Sequence, residues 1–363
     1  MKMLFAYTSH VSSTYDVARY YHMAFERLGV NVKPFVFYNE FLIAGKGLQW
    51  WESVQPSYMY TDADAVYTAS KNLMADVAFF QPDVVVLIYG LTLDVNLYHS
   101  MKTLRDSLKK PFLLVSIQTE GPYQVEQELN CAFWSDMVFN NERPFVNRLR
   151  QVCKMSYWLP QAYEDTIHYP GVGLARDYAD VYFCGSGHRS RLKTLEGVDW
   201  TGIDFKLEGY FHDIDQSPIN QYCKNEIVAN AIVADRYRTS KVCLNVHRAE
   251  GIMVKYESIE PPIRATADVD IPENSVYNLN NRFFEIAACQ TVQLVDATRM
   301  ELRDSYQGCP TYSTADEIGV LARWYLGNPL QAEKVAKNLY ALVEGRTYLN
   351  NAKTVLRHIE SAI

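Results

Sequence analysis

The chain has 363 residues, 48% of them apolar, with a formal net charge of −7 and seven cysteines. The length exceeds what one ordinary core organises and suits two domains, while the acidic balance excludes a global field for nucleic acid or an anionic membrane and leaves only a local basic groove for such partners. The cysteines are odd in number and dispersed, without CxxC or zinc-like spacing, which excludes a disulfide scaffold and points to a reducing, cytoplasmic setting; no apolar run reaches membrane-spanning length, and the short run at residues 3–7 reads as a buried strand rather than a leader.

In chain order, residues 4–7 are predicted as a strand. Ser12, Ser13 and Thr14 offer caps for an amphipathic helix over 15–28 that stops at Gly29. Residues 30–37 alternate as a second strand. The stretch 39–60, with Gly45, Gly47, Trp50 and Trp51, reads as an ordered loop or short helix. A helix over 64–80 precedes the apolar run 83–88, of the kind buried in a parallel sheet. A helix near 96–108, strands at 112–117 and 137–139 and a helix over 143–153 complete a doubly wound α/β domain, assigned to 1–170. Residues 157–170 are the linker candidate. A second α/β pattern, assigned to 171–345, has strands at 180–184, 205–208, 242–246, 291–295 and near 311–312, with helices at 282–289, 315–326 and 330–344. A final helix lies within 346–363. Residues 252–278 are irregular, and a loop of that length inside a compact domain is usually functional or mobile.

Several segments at predicted strand ends carry chemistry. Gly185-Ser186-Gly187 follows the first strand of the second domain, and Arg189, Arg191 and Lys193 follow on the next helix. Glycines let backbone approach phosphate, a helix N-terminus favours it, and the cations neutralise it; a solvated helix start would read the same way. Asn245, His247 and Arg248 end the strand 242–246, where α/β sheets gather ligands. Arg248 would neutralise a phosphate and His247 would donate to a phosphate or sugar hydroxyl; the plain alternative is a surface His–Arg pair. Glu285 is the lone carboxylate in a small-residue, apolar helix, with Asn281 and Arg282 beside it. It is either a solvated first-turn acid favouring the helix dipole or a carboxylate for the paired hydroxyls of a ribose. In the first domain His10, Glu120 and Tyr89-Gly90 follow strands, and His10 and Glu120 are the candidate bases. Three DxD triplets, beginning at Asp62, Asp213 and Asp268, do not clearly end core strands, so no metal is expected.

The segment Ser240-Lys241-Val242-Cys243-Leu244-Asn245-Val246-His247-Arg248 resembles a motif of the CgeB-like, spore-maturation-type glycosyltransferases. So do Asn281-Arg282-Phe283-Phe284-Glu285-Ile286-Ala287-Ala288-Cys289, the passage from Leu159-Pro160 to His168-Tyr169-Pro170, and Asp180 through Gly187. The resemblance spans most of 80–360 in order. It implies a GT-B fold: two Rossmann-like domains facing an interdomain cleft, with the C-terminal helix returning to the first. It also implies transfer of sugar from a nucleotide-sugar donor, a nucleoside diphosphate sugar, to an acceptor hydroxyl on a protein, glycan or small molecule, without metal or further cofactor. In that scheme Glu285 holds the ribose, and Gly185, Ser186, Gly187, Arg189, Lys193, Asn245, His247, Arg248, Asn281 and Arg282 serve the donor. His10 or Glu120 would be the acceptor-side base of an inverting enzyme. Two positions depart from the family: Gln290 stands where it usually has glycine, and Tyr277 where retaining relatives often carry a second Glu. A hydroxymethylated DNA base as acceptor, a nucleotide-sugar epimerase and a non-catalytic nucleotide-sugar-binding protein are the alternatives.

Overall fold

A computed structural model describes the chain except for residues 8–11, 56–60, 91–92, 94, 109, 172–175, 213, 254–266 and 271–275. His10, Asp213 and most of the 252–278 stretch therefore lie outside the described residues. Contacts divide the chain into one unit of Met1–Pro160, Gly251–Val269 and Asn351–Ile363, and a second of Gln161–Glu250 and Asp270–Asn350.

The first unit contains, in order, β1 (Lys2–Tyr7), α1 (Ser12–Arg27), β2 (Asn31–Val36), α2 (Phe37–Val54), α3 (Asp62–Phe80), β3 (Val84–Ile88), α4 (Val95–Ser107), β4 (Leu113–Gln118), α5 (Val125–Trp134), β5 (Met137–Asn140), α6 (Val146–Leu149) and β6 (Met155–Trp158). The strands form a six-stranded sheet in the order β2-β1-β3-β4-β5-β6, parallel throughout, with Leu4 opposite Val85 and Val86 opposite Val115. Val84–Ile88 is wholly buried, as a strand covered on both faces must be.

Residues 37–54 form one long helix, where the sequence left an ordered loop or a short helix open. Gly45 and Gly47 weaken it locally, but its packing against α3, including Asn72 Nδ2 donating to Glu40 at 2.8 Å, overrides that propensity. Asp62 and Asp64 open α3, where Thr61 and Asp64 form a reciprocal capping box. β6 occupies the start of the expected linker.

The second unit contains β7 (Ala179–Cys184), α7 (Arg189–Glu196), β8 (Phe205–Glu208), β9 (Cys223–Lys224), α8 (Asn230–Thr239), β10 (Ser240–Asn245), α9 (Asn281–Ala288), β13 (Val292–Asp296), α10 (Met300–Ser305), β14 (Thr311–Tyr312), α11 (Ala315–Gly327) and α12 (Pro329–Val343). Between β10 and α9, β11 (Glu250–Met253) and β12 (Ala267–Asp270) pair as a separate ribbon. The sheet order β9-β8-β7-β10-β13-β14 is the 3-2-1-4-5-6 order of dinucleotide-binding folds, and it reverses between β7 and β10. Phe183, Phe205, Leu207, Leu244, Leu294 and Ile318 fill one face, with Trp200 stacked on Phe205 at 3.8 Å. Phe283, Phe284, Tyr306 and Leu339 pack the layer around α9.

The last helix, α13 (Tyr348–Glu360), belongs mostly to the first unit. There Asn351 Nδ2 donates to Pro160 O at 2.7 Å and to Tyr21 OH at 3.2 Å, and His358 stacks on Tyr157 at 3.8 Å. Gln290, the departure from glycine, has φ +56°. The turn from α9 into β13 therefore uses a left-handed backbone that glycine adopts without strain.

Candidate functional site

The reversal of strand order between β7 and β10 brings the carboxyl ends of β7, β10 and β13 together with the start of α9. The turn after β7 needs glycine for packing. A Cβ on Gly187 would lie 2.5 Å from Phe211 Cα, and one on Gly185 would collide with the Arg282 guanidinium. The Gly185 and Gly187 amides donate to Glu208 O at 2.9 Å and Tyr210 O at 2.8 Å, so they tie the turn to β8 instead of facing a phosphate. Ser186, Arg189 and Lys193 are exposed. Arg191 is buried and bridges the turn to β10, donating to Val246 O at 2.9 Å and Ser186 O at 3.1 Å.

Asn280 caps α9 through its side chain, which accepts from Phe283 N, and exchanges two side-chain hydrogen bonds with Asn245, at 2.9 and 3.1 Å. That pair fastens the helix start to the end of β10. Asn281, the first helical residue, is half-buried. Arg282 lays its guanidinium over the Phe183 ring at 4.9 Å and against Gly185. Its Nε and Nη1 are buried with no hydrogen-bond partner among the described residues. Such a group costs free energy until something accepts from it.

Glu285 lies one turn further on and is buried, 8% exposed, which sets aside the solvated first-turn reading. Burial raises its pKa from 4.5 to about 7, against the opposing pull of Arg282 and a hydrogen bond from Asn230. His168 Nε2 lies 4.0 Å from its Oε1; burial lowers that imidazole to about 4, so it is neutral there.

His247 is also buried. Its backbone N–H and its Nδ1 both meet Asp296 Oδ2, at 2.6 and 2.7 Å. Burial lowers the His247 pKa to about 4, with Arg299 and Arg191 adding to the effect and Asp296 opposing it. Burial would raise Asp296, but His247 and Arg299 outweigh it and hold the carboxyl below its usual range. Arg248 is half-buried beside it, and its carbonyl accepts from Arg299 Nη2 at 2.9 Å.

In the first unit Glu120 is half-buried after β4. Its loop is held by Glu128, a fully buried carboxylate on α5 that accepts from Glu120 N at 3.0 Å and Asn140 Nδ2 at 2.9 Å. Burial raises Glu128 to about 8, against those hydrogen bonds. Tyr89 and Gly90 both have left-handed backbones, φ +71° and +68°.

Glu285, Arg282, Asn281, Asn245, His247, Arg248 and the glycine turn thus gather at one end of the second sheet. Asp296, Asn230 and Glu128 escaped sequence reasoning, and His168 was noted only as part of the passage from Leu159 to Pro170, with no role assigned. Asp296 ends β13 and falls under the same strand-end rule as His247; Asn230 and Glu128 carry no local signal. A cavity of about 420 Å³ lies elsewhere in this unit, lined by Arg176, Arg238, Lys241 and Gln290 among others. Its cations are committed, Arg176 to Gln290 O, Arg238 to Ile167 O and Lys241 to Asp180. Among the described residues no group of three or more His, Cys, Asp or Glu could hold a metal ion, and no helix is long and apolar enough to cross a membrane.

Residues 189–357 match the family model described as "Glycosyl transferase-like". The matched stretch begins at α7 and takes in Glu285, Arg282 and the His247–Asp296 pair. The fold is similar to sucrose-phosphate synthase from Thermosynechococcus elongatus, at 12% identity and TM-score 0.64, covering 100% of this chain and 99% of that one. It is also similar to HepE of Anabaena, solved with UDP-glucose, at 9% identity and TM-score 0.60, covering 99% and 100%. UDP-GlcNAc 2-epimerase from Neisseria meningitidis, solved with UDP-GlcNAc, matches at 11% identity and TM-score 0.55, covering 99% and 100%. Together with the two parallel sheets, these likenesses identify the fold as GT-B, built of two Rossmann-like domains. No curated protein matches the sequence.

Proposed function

We propose that the chain is a glycosyltransferase of the CgeB-like type that binds a nucleoside diphosphate sugar on its second unit. The observation that carries this reading is the half-buried Arg282, whose buried Nε and Nη1 lack partners among the described residues, beside the buried Glu285 carboxylate at the strand-order reversal. A diphosphate oxygen would accept from Arg282, and Glu285 would accept from the ribose hydroxyls. The acceptor hydroxyl attacks the anomeric carbon, the bond from that carbon to the diphosphate oxygen breaks, and the nucleoside diphosphate leaves with the electron pair. Arg189, Lys193 and Arg248, with Arg282, offset the charge that develops on it without a metal. Glu120, or His10, takes the acceptor's proton if the enzyme inverts. Protein, glycan and small-molecule hydroxyls are the acceptor classes this reading favours.

The test is a thermal-shift screen of the wild type and Arg282→Met with UDP, GDP and ADP and their sugar conjugates. A ligand at 100 times its Kd stabilises the native state by about 2.7 kcal/mol. Loss of a charge-assisted hydrogen bond should weaken binding roughly tenfold to a hundredfold. Unchanged affinity in Arg282→Met would refute the assignment. Turnover with an acceptor panel, hydroxymethylated DNA included, then separates transfer from sugar interconversion without acceptor, which would mark an epimerase, and from binding without turnover.

A further inference from the structure

Asp296 fixes which way the His247 ring can hydrogen-bond. A carboxylate at this strand end only accepts. Its Oδ2 takes both the backbone N–H and Nδ1 of His247, and its Oδ1 takes the backbone N–H and hydroxyl of Thr298. The proton of a neutral His247 ring therefore sits on Nδ1, and Nε2 carries a bare lone pair. That Nε2 is buried and has no hydrogen-bond partner among the described residues. The neighbouring cations do not fill the need. Arg191 is turned to Val246 O and Ser186 O, and Arg299 to Arg248 O. Both oppose a second proton on the ring. The Tyr312 hydroxyl nearby donates to Asn245 O at 3.2 Å.

An ionised diphosphate presents only acceptor oxygens and cannot satisfy a lone pair. A ribose or sugar hydroxyl can. We infer that His247, oriented by Asp296, reads a hydroxyl group of the nucleotide sugar and not its phosphates. This rests on the donor-binding reading above and reverses the expectation that His247 donates. His247 becomes a specificity-determining residue that touches the donor, and Asp296 a positioning residue acting through it.

Nitrogen-15 NMR of the full chain labelled at histidine, with His247→Gln to assign the resonance, tests the geometry without any ligand. An unprotonated Nε2 and protonated Nδ1 between pH 6 and 8 are expected; a protonated Nε2 overturns the inference. Affinities of UDP, 2′-deoxy-UDP, 3′-deoxy-UDP, UDP-glucose and their guanosine and adenosine counterparts are then compared in the wild type, His247→Leu, His247→Gln and Asp296→Asn. His247→Leu should lose roughly threefold to tenfold, the value of one neutral hydrogen bond, only for ligands bearing the hydroxyl that is read. His247→Gln, whose amide oxygen can accept, should recover part of that loss, and Asp296→Asn should bind between the two. A loss confined to sugar conjugates names the sugar hydroxyl; a loss that erases discrimination against 2′-deoxy-UDP or 3′-deoxy-UDP names the ribose. Equal loss for every ligand, or none, overturns the inference alone when Arg282→Met still weakens binding. Failure of every nucleotide and nucleotide sugar to bind overturns the donor-binding reading itself, and this inference with it.

Discussion

Glu285→Gln separates the cost of the buried carboxylate from its use. Burial raises its pKa from 4.5 to about 7. A group whose folded pKa lies above its unfolded value contributes its full stability below the unfolded pKa and loses it as pH rises through the folded one. The wild type should therefore lose stability between about pH 4.5 and pH 7. Each pKa unit is worth about 1.4 kcal/mol, so keeping Glu285 ionised costs the free protein on the order of 3 kcal/mol at pH 8. Gln keeps the volume and removes the charge. Urea unfolding of both proteins from pH 4 to pH 8 should show nearly equal stability at pH 4 and a growing advantage for Glu285→Gln above it. Other titrations cancel in the difference. The same variant should bind nucleoside diphosphates less tightly, because an amide cannot accept both ribose hydroxyls as a carboxylate can. Parallel pH curves for the two proteins would refute the burial argument, and a more stable variant with unchanged affinity would refute the ribose role.

Nucleotide-sugar affinity in the wild type should rise by up to roughly tenfold per pH unit below pH 7 and level off above it, as Glu285 ionises; calorimetry with UDP-glucose from pH 6 to 8 would show it, and a flat profile would count against an ionised ribose anchor. Gln290→Gly should stabilise the chain by roughly 0.5–1 kcal/mol, because a left-handed non-glycine residue is strained while Arg176 bonds only the backbone carbonyl at this position; a lower unfolding midpoint would contradict the strain. Gly187→Ala should destabilise by more than roughly 2 kcal/mol, since its Cβ would sit 2.5 Å from Phe211 Cα, which cannot move aside like a side-chain tip; a wild-type melting temperature would refute the packing argument. Glu128→Ala should cost roughly 1–3 kcal/mol by leaving the Glu120 amide without its acceptor and Asn140 with only Gln118, with Glu128→Gln milder; equal melting temperatures for both variants and the wild type would refute it.

The order and kind of most elements were legible from the residues. Val84–Ile88 is the run of apolar residues that a doubly covered strand requires, and the strand expected at 112–117 is observed at Leu113–Gln118. The glycines and polar residues after predicted strands come together at one end of the second sheet, as the strand-end rule expects. Over 39–60 the residues left loop and short helix both open, because the glycines weaken a helix read alone; packing on α3 makes Phe37–Val54 one long helix. Arg189, Arg191 and Lys193 looked equivalent in a row, yet helical period separates them, turning Arg191 inward to Val246 while the other two face solvent.

By itself the sequence determined which residues are apolar, which turns need glycine and which polar groups follow strands, because those are local properties of short segments. Whether Glu285 is a solvated cap or a buried acid, and which ring nitrogen of His247 meets a carboxylate, were decided only by the tertiary structure. Glu285 owes its raised pKa to burial, with Asn230 at the start of α8 hydrogen-bonded to it. The His247 lone pair owes its direction to Asp296, 49 residues away in the chain. Pairs of that kind meet only where parallel strands end side by side, and no local pattern announces them.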